Sequence, residues 1–182
     1  AVTSDNLCGT EALVRHMYEA GHRRIAFIHG ENTAVTQNRL TSYYRALESL
    51  GLEAEADYIR EGRYHDPERC AWETAALLAL PHPPTCILFP DDFSAIGGLN
   101  TIAAAGLRVP DDISVAGYDG IYLSQTMSPR LTTYRQDTAA LGRTAAARLI
   151  ELIEKPRTTV MDRTVVTGAL LPGGTVAAPC TE

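Results

Sequence analysis

The chain has 182 residues, of which 45% are hydrophobic and 21% charged, with a net charge of −6. That is enough chain for one well-cored domain of ordinary globular composition. No apolar run reaches the roughly 20 residues that cross a bilayer, and no basic-then-apolar leader is visible. Without a basic stripe, these residues by themselves are expected to bind DNA weakly or not at all.

Short apolar runs alternate with amphipathic helical patterns along the chain. A first helix is expected over residues 8–20, with Leu13 and Met17 one turn apart, Asp5 or Asn6 as cap and Gly21 as stop. The run Ile25–Ile28 follows as a strand. Residues 37–50 place Leu40, Tyr43, Leu47 and Leu50 on one helical face, and Gly51 ends that pattern. A weaker strand is expected near Tyr58–Arg60. Asp66-Pro67 is a cap followed by proline at the first helical position, which opens a helix to about Ala79.

Cys86–Phe89 reads as a further strand, residues 94–105 as a helix closed by Gly106, and Ile113–Ala116 and Leu131–Tyr134 as two more strands. Residues 137–154 form the longest helix, with Leu141, Ala145, Leu149 and Leu152 on one stripe. A last β-rich segment covers Thr164–Leu171, and Pro172–Glu182 is expected to be a loose, flexible tail. The strands are continuously apolar rather than alternating, as in sheets buried on both faces. The fold class is therefore α/β, a doubly wound and mostly parallel sheet flanked by helices, in one domain over residues 1–171. Ligands of such sheets bind beyond the carboxyl ends of the strands. Those ends are His29–Glu31, Arg63–His65, Pro90–Asp92, Tyr118–Gly120 and Arg135–Asp137.

Catalytic readings find little support. There is no GxGxxG after a strand, no GxxxxGK[ST] and no GxSxG. The five histidines form no metal pair: His16 reads as a surface or boundary residue, His22 as a turn residue, and His29 as a strand end that could face a cleft. Asp91-Asp92 could hold magnesium as in receiver domains, but the first strand here ends in His29-Gly30-Glu31, and the only lysine, Lys155, is not at a strand end. Asp92 is instead expected to cap the helix opening at Ser94. The four cysteines, Cys8, Cys70, Cys86 and Cys180, show neither zinc spacing nor CxxC, which points to a reducing, cytoplasmic compartment. No catalytic residue, metal or cofactor is expected.

Five segments taken in order are more specific. They are HRRIAFIHG at 22–30, RLTSYYRAL at 39–47, PPTCILFPDD at 83–92, RVPDDISVAGYD at 108–119 and PRLTTYRQ at 129–136. Together they resemble the LacI/GalR transcription regulators, whose effector-binding core has the periplasmic-binding-protein fold. The resemblance runs through about residues 2–170. It implies the C-terminal subdomain of that core, with 137–154 normally returning to the N-terminal subdomain. The DNA-binding headpiece and most of the N-terminal subdomain would lie outside this chain. Left without its partners, the 137–154 helix is expected to find another surface for its apolar stripe.

The resemblance also implies the site. Arg39 matches the arginine that reads effector hydroxyls or a carboxylate, Tyr64 the aromatic that packs on the effector, and Asp119 the acid that accepts from its hydroxyls. Gln136 matches the PxLTTxxQ glutamine. Asp91 replaces the common Asn of an ND pair, which would disfavour an anionic effector because a carboxylate only accepts. Asp5 reaches the effector or caps a helix. Ser42 stands where the family has glycine and is expected to narrow the pocket. Gly120 stands where a second acid or Asn is frequent. Trp72 reads as packing rather than a ligand contact. The implied partners are a small-molecule effector, a sugar above all, operator DNA through the absent headpiece, and a second copy in a homodimer, with no membrane. The competing functions are a periplasmic sugar-binding protein and a small α/β hydrolase or isomerase. The last would need a nucleophile with a partnered base, and none is visible.

Overall fold

Residues 1–156 and 162–180 are described by a computed structural model. In chain order they form β1 (Val2–Ser4), α1 (Asn6–Glu19), β2 (Ile25–His29), α2 (Ala34–Ser49), β3 (Ile59–Glu61), α3 (Pro67–Leu78), β4 (Cys86–Leu88) and α4 (Asp92–Ala104). Then come β5 (Ser114–Asp119), α5 (Tyr122–Thr126), β6 (Thr132–Arg135), α6 (Thr138–Glu154), β7 (Thr164–Val166) and β8 (Ala169–Leu171). Six strands make one sheet in the order β3-β2-β4-β5-β6-β8, parallel except for the antiparallel β6–β8 edge. The chain winds outward in both directions from β2, so the order reverses between β2 and β4, where such sheets hold ligands.

The continuous apolar strands are explained by two covered faces. Ile25, Phe27, Cys86 and Leu88 point toward α1 and α2, where they meet Leu13, Met17, Tyr43 and Leu47. Their neighbours Ala26, Ile28, Ile87 and Phe89 point the other way, onto Cys70, Leu77 and Ile102 of α3 and α4. A strand with period-two side chains and two buried faces has no solvent side to mark. All of these residues are at most 3% exposed, and each large one contributes about 1.5–3 kcal/mol by leaving water.

The helices start where short polar side chains can accept from their free amides. Asp5 caps α1, Thr33 caps α2, Asp66 caps α3 and Asp137 caps α6. Asp91 caps α4 by accepting from the Ser94 amide at 2.7 Å, so the expectation that Asp92 is the cap is corrected by one residue. Asp92 is the first residue of the helix, and its side chain does other work.

Two further expectations change. The β-rich stretch 164–171 divides, because β7 pairs with β1 in a separate two-stranded sheet while β8 joins the main sheet. The segment read as a loose tail is tied down through Cys180. Thr175 is 1% exposed; its hydroxyl donates to the Val115 carbonyl and accepts the Thr132 amide, and its carbonyl accepts the Val115 amide. Gly173 lets the strap pass against the backbone of Arg130 and Leu131, where a Cβ would collide. Thr181 and Glu182 lie outside the described residues. Trp72, expected to pack, is 63% exposed on α3.

Helix α6 packs beside β1 and buries none of its residues fully. Leu149, Ile150 and Ile153 are 55–70% exposed on it. No helix among the described residues is long and apolar enough to cross a membrane.

Candidate functional site

The carboxyl ends of β2, β5 and β6 bring Arg39, Asp119 and Gln136 together. Arg39 sits on the second turn of α2 and is 4% exposed. Its Nε donates to Asn6 Oδ1 at 3.1 Å and its Nη1 to the Pro90 carbonyl at 2.7 Å. Its Nη2 lies 4.0 Å from Asp119 Oδ1. The guanidinium carbon lies 3.5 Å from the centroid of the Tyr118 ring and 5.7 Å from that of Tyr64. A planar fork can satisfy several acceptors and stack on an aromatic face at once, which a lysine cannot. At 4% exposure Arg39 is not a solvated surface arginine.

Asp119 ends β5 with a φ of 103°, and Gly120 follows at 68°. A non-glycine residue in this region costs about 1–3 kcal/mol and persists only where its surroundings hold it. What holds it is specific. The Gln136 side-chain amide donates to Asp119 Oδ1, and the Gln136 backbone amide donates to the Asp119 carbonyl at 3.2 Å. Gly120 also lies against the backbone and side chain of Arg135, where a Cβ would collide.

Tyr64 is half-buried beside this group. Its ring packs on Gly30, its hydroxyl is 3.0 Å from Thr36 Oγ1, and its amide donates to Glu31 Oε2 at 2.9 Å. That last bond is the main reason the Glu31 carboxyl is held below its ordinary value. Arg39 and Gln136 open into a cleft of about 640 Å³ that also meets Asn6, Asn38, Leu141 and Arg163, whereas Asp119 and Tyr64 stand beside it and do not line it. Its size suits a small molecule, and its wall on one side is α6 with β1.

Other expected site residues are otherwise engaged. Asp91 is 1% exposed, and its oxygens accept from the Ser94 amide, the Ser94 hydroxyl at 2.9 Å and the His65 amide at 2.9 Å. It braces the loop after β3 against α4 and does not line the cleft, so its charge does not bear on the sign of the ligand. Asp5 accepts from the Leu7 and Cys8 amides as the cap of α1. Ser42 does not narrow the cleft, because its hydroxyl turns to the Leu7 carbonyl of α1. His29 hydrogen bonds to the Gly30 carbonyl at 2.7 Å. His22 is 1% exposed; its Nδ1 is 2.9 Å from Thr85 Oγ1, and its Nε2 faces the Ala177 backbone without a hydrogen bond of good geometry. Burial is the main reason the His22 imidazole is pushed below its ordinary value.

Asn6, Asn38 and Arg163 were not singled out as cleft residues in the sequence. Asn6 carried a signal, in the DN pair that opens the first helix, but a capping pair looks the same whether or not its second member reaches a cleft.

Residues 14–176 match the periplasmic binding protein-like domain. The probable HTH-type transcriptional repressor ExuR of Bacillus subtilis is 38% identical over 86% of this chain and 47% of its own length. The HTH-type transcriptional repressor CytR of Escherichia coli is 34% identical over 96% of this chain and 51% of its own. The chain thus spans about half the length of the curated relatives it matches. Among solved structures, a LacI family transcriptional regulator from Mycobacterium smegmatis superposes with a TM-score of 0.89 at 32% identity, over 98% of this chain and 66% of that one. The regulator CelR in complex with cellobiose also superposes at 0.89, with 28% identity, over 96% of this chain and 53% of that one.

Proposed function

The chain belongs to the periplasmic binding protein-like family, in its LacI/GalR form, and on that premise we propose that it senses a small polyhydroxylated effector, a sugar or sugar derivative, for a transcription repressor. One observation carries the reading: Arg39, Asp119 and Gln136 form a continuous polar group, of which Arg39 and Gln136 line the cleft and Asp119 lies directly behind them. A sugar hydroxyl both donates and accepts. Asp119 supplies an acceptor, Arg39 and Gln136 supply donors, and Asn6 supplies both. Tyr64 offers an aromatic face to the C–H side of a sugar ring. The CelR–cellobiose neighbour supports a carbohydrate.

In the intact protein, effector binding would close the cleft between this half and an N-terminal half and shift the balance between operator-binding states. The exposed stripe of α6 fits a helix that returns to that other half. Operator contact would come from a separate headpiece, and the working form would be a cytoplasmic homodimer. This is a binding role rather than an enzymatic one. The alternative of a transport-system binding protein is less well supported, because the relatives are transcriptional repressors.

Calorimetry on the gene product against neutral sugars, sugar acids, sugar phosphates and nucleosides tests the reading. A carbohydrate is expected to bind and to lose affinity in Asp119→Ala and Gln136→Ala. Binding of a nucleoside alone, or of no compound in the panel, would count against it.

A further inference from the structure

Asp92 is a carboxylate without contact to solvent, at 1% exposure, in the first turn of α4. It does not cap that helix. Its Oδ2 accepts the Ile121 amide at 2.9 Å, and its Oδ1 accepts the Thr133 hydroxyl at 2.6 Å. The Thr133 oxygen in turn accepts the Gly120 amide at 3.2 Å. One carboxylate and one hydroxyl therefore hold both backbone amides that follow Asp119. The seat is tight, since a Cβ on Gly117 would run into Asp92 itself.

These two amides belong to the turn in which Asp119 and Gly120 both have positive φ. Hydrogen bonds to an ionised acceptor are the strong ones, and here they fix the peptide planes immediately after Asp119. Resting on the sensor reading above, we propose that Asp92, with Thr133, is a positioning residue that aims the Asp119 carboxylate at Gln136, Arg39 and the effector. Asp92 does not touch the cleft, so it acts through Asp119.

The experiment is NMR on the ligand-free 182-residue chain, comparing wild type, Asp92→Asn, Thr133→Val and the core variant Ile102→Val. The Gln136 side-chain amide and the Asp119 carboxyl carbon report the aim of Asp119. Amide exchange at Gly120 and Ile121 reports the clamp. Asp92→Asn and Thr133→Val are expected to move the Gln136 signal toward that of a free side-chain amide and to speed Gly120 and Ile121 exchange about tenfold. Ile102→Val loosens the same core and should leave the Gln136 and Asp119 signals in place. Unmoved Gln136 and Asp119 signals in a folded Thr133→Val would overturn the proposal, even if Asp92→Asn fails to fold. Similar movement in Ile102→Val would also overturn it, by reducing the effect to general loosening. Calorimetry with cellobiose and ribose as probes separates the two claims. If wild type binds a probe, both clamp variants should bind about tenfold more weakly. If wild type binds neither, the sensor reading loses support while the NMR signals still decide the clamp.

Discussion

The guanidinium of Arg39 stacks 3.5 Å over the Tyr118 ring while reaching toward the Asp119 carboxylate, the residue next to that tyrosine in the chain. One side chain from α2 is thereby locked to the end of β5 by its face and its edge together. Arg39→Ala would strand the Pro90 carbonyl and leave Asp119 without its cation. It should cost about 2 kcal/mol of stability, chiefly from the buried Pro90 carbonyl left without its donor. Arg39→Lys keeps the charge but not the fork, and should recover part of that loss. Urea unfolding of the three proteins measures both effects.

Asp91→Ala should act differently. It removes the α4 cap and the brace to the His65 amide. The expected cost is about 1–2 kcal/mol in urea unfolding, with effector affinity within about twofold of wild type because Asp91 does not face the cleft. A loss of affinity much larger than the loss of stability would restore Asp91 to the site.

Asp92 gives the stability a pH signature. Burial, opposed by its hydrogen bonds to Thr133, Ser124 and Ile121, pushes its carboxyl up to about 6 from an ordinary 3.8. Between those values the folded chain holds a proton that the unfolded chain has lost, so stability falls as pH rises from about 4 to about 6. The full contribution is on the order of 3 kcal/mol, present below pH 4 and gone above pH 6. His22 acts with the opposite sign, since its depressed imidazole loses stability for the fold as pH falls through about 6.5. The curve of wild type minus Asp92→Asn isolates the carboxylate. That difference should decline between pH 4 and 6 and be level above 6, measured by urea midpoints across that range.

Thr175→Val tests the strap. It preserves shape but removes the hydroxyl shared between the Val115 carbonyl and the Thr132 amide, leaving both without that partner in the interior. Each unsatisfied group costs about 1–3 kcal/mol. Hydrogen exchange should show faster exchange at Thr132 and along β5, and an unchanged profile would mean that the strap is dispensable.

The exposed Leu149, Ile150 and Ile153 of α6 form an apolar face that water disfavours. The isolated chain should self-associate through it. Light scattering is expected to show mass rising with concentration, and Ile150→Glu with Ile153→Glu should reduce that rise.

Most of the fold is legible in the chain because its signals are local. The continuous runs at 25–28 and 86–89 become central strands, and Asp66-Pro67 opens α3 where capping chemistry says it should. β1 and α5 are too short to show a period, and β1 exists only through its pairing with β7, far away in sequence. The cap of α4 is ambiguous in the sequence because two adjacent aspartates offer the same chemistry, and only the geometry divides them into cap and clamp. For the site, Asp119 and Gln136 follow from their motifs and their places at strand ends, and Arg39 from its motif alone, since it lies on α2. The roles of Asn6, Asp92 and Thr133 depend on distances across several elements, which no local pattern encodes.

The most direct test of effector sensing is chemical-shift mapping on the isotope-labelled chain during titration with the tightest-binding carbohydrate from the calorimetric panel. The expected result is a saturable set of changes centred on Arg39, Tyr64, Asp119 and Gln136, with the α3 surface around Trp72 unmoved. Changes confined to other surfaces, with those four residues still, would contradict the assignment of this cleft as the sensor.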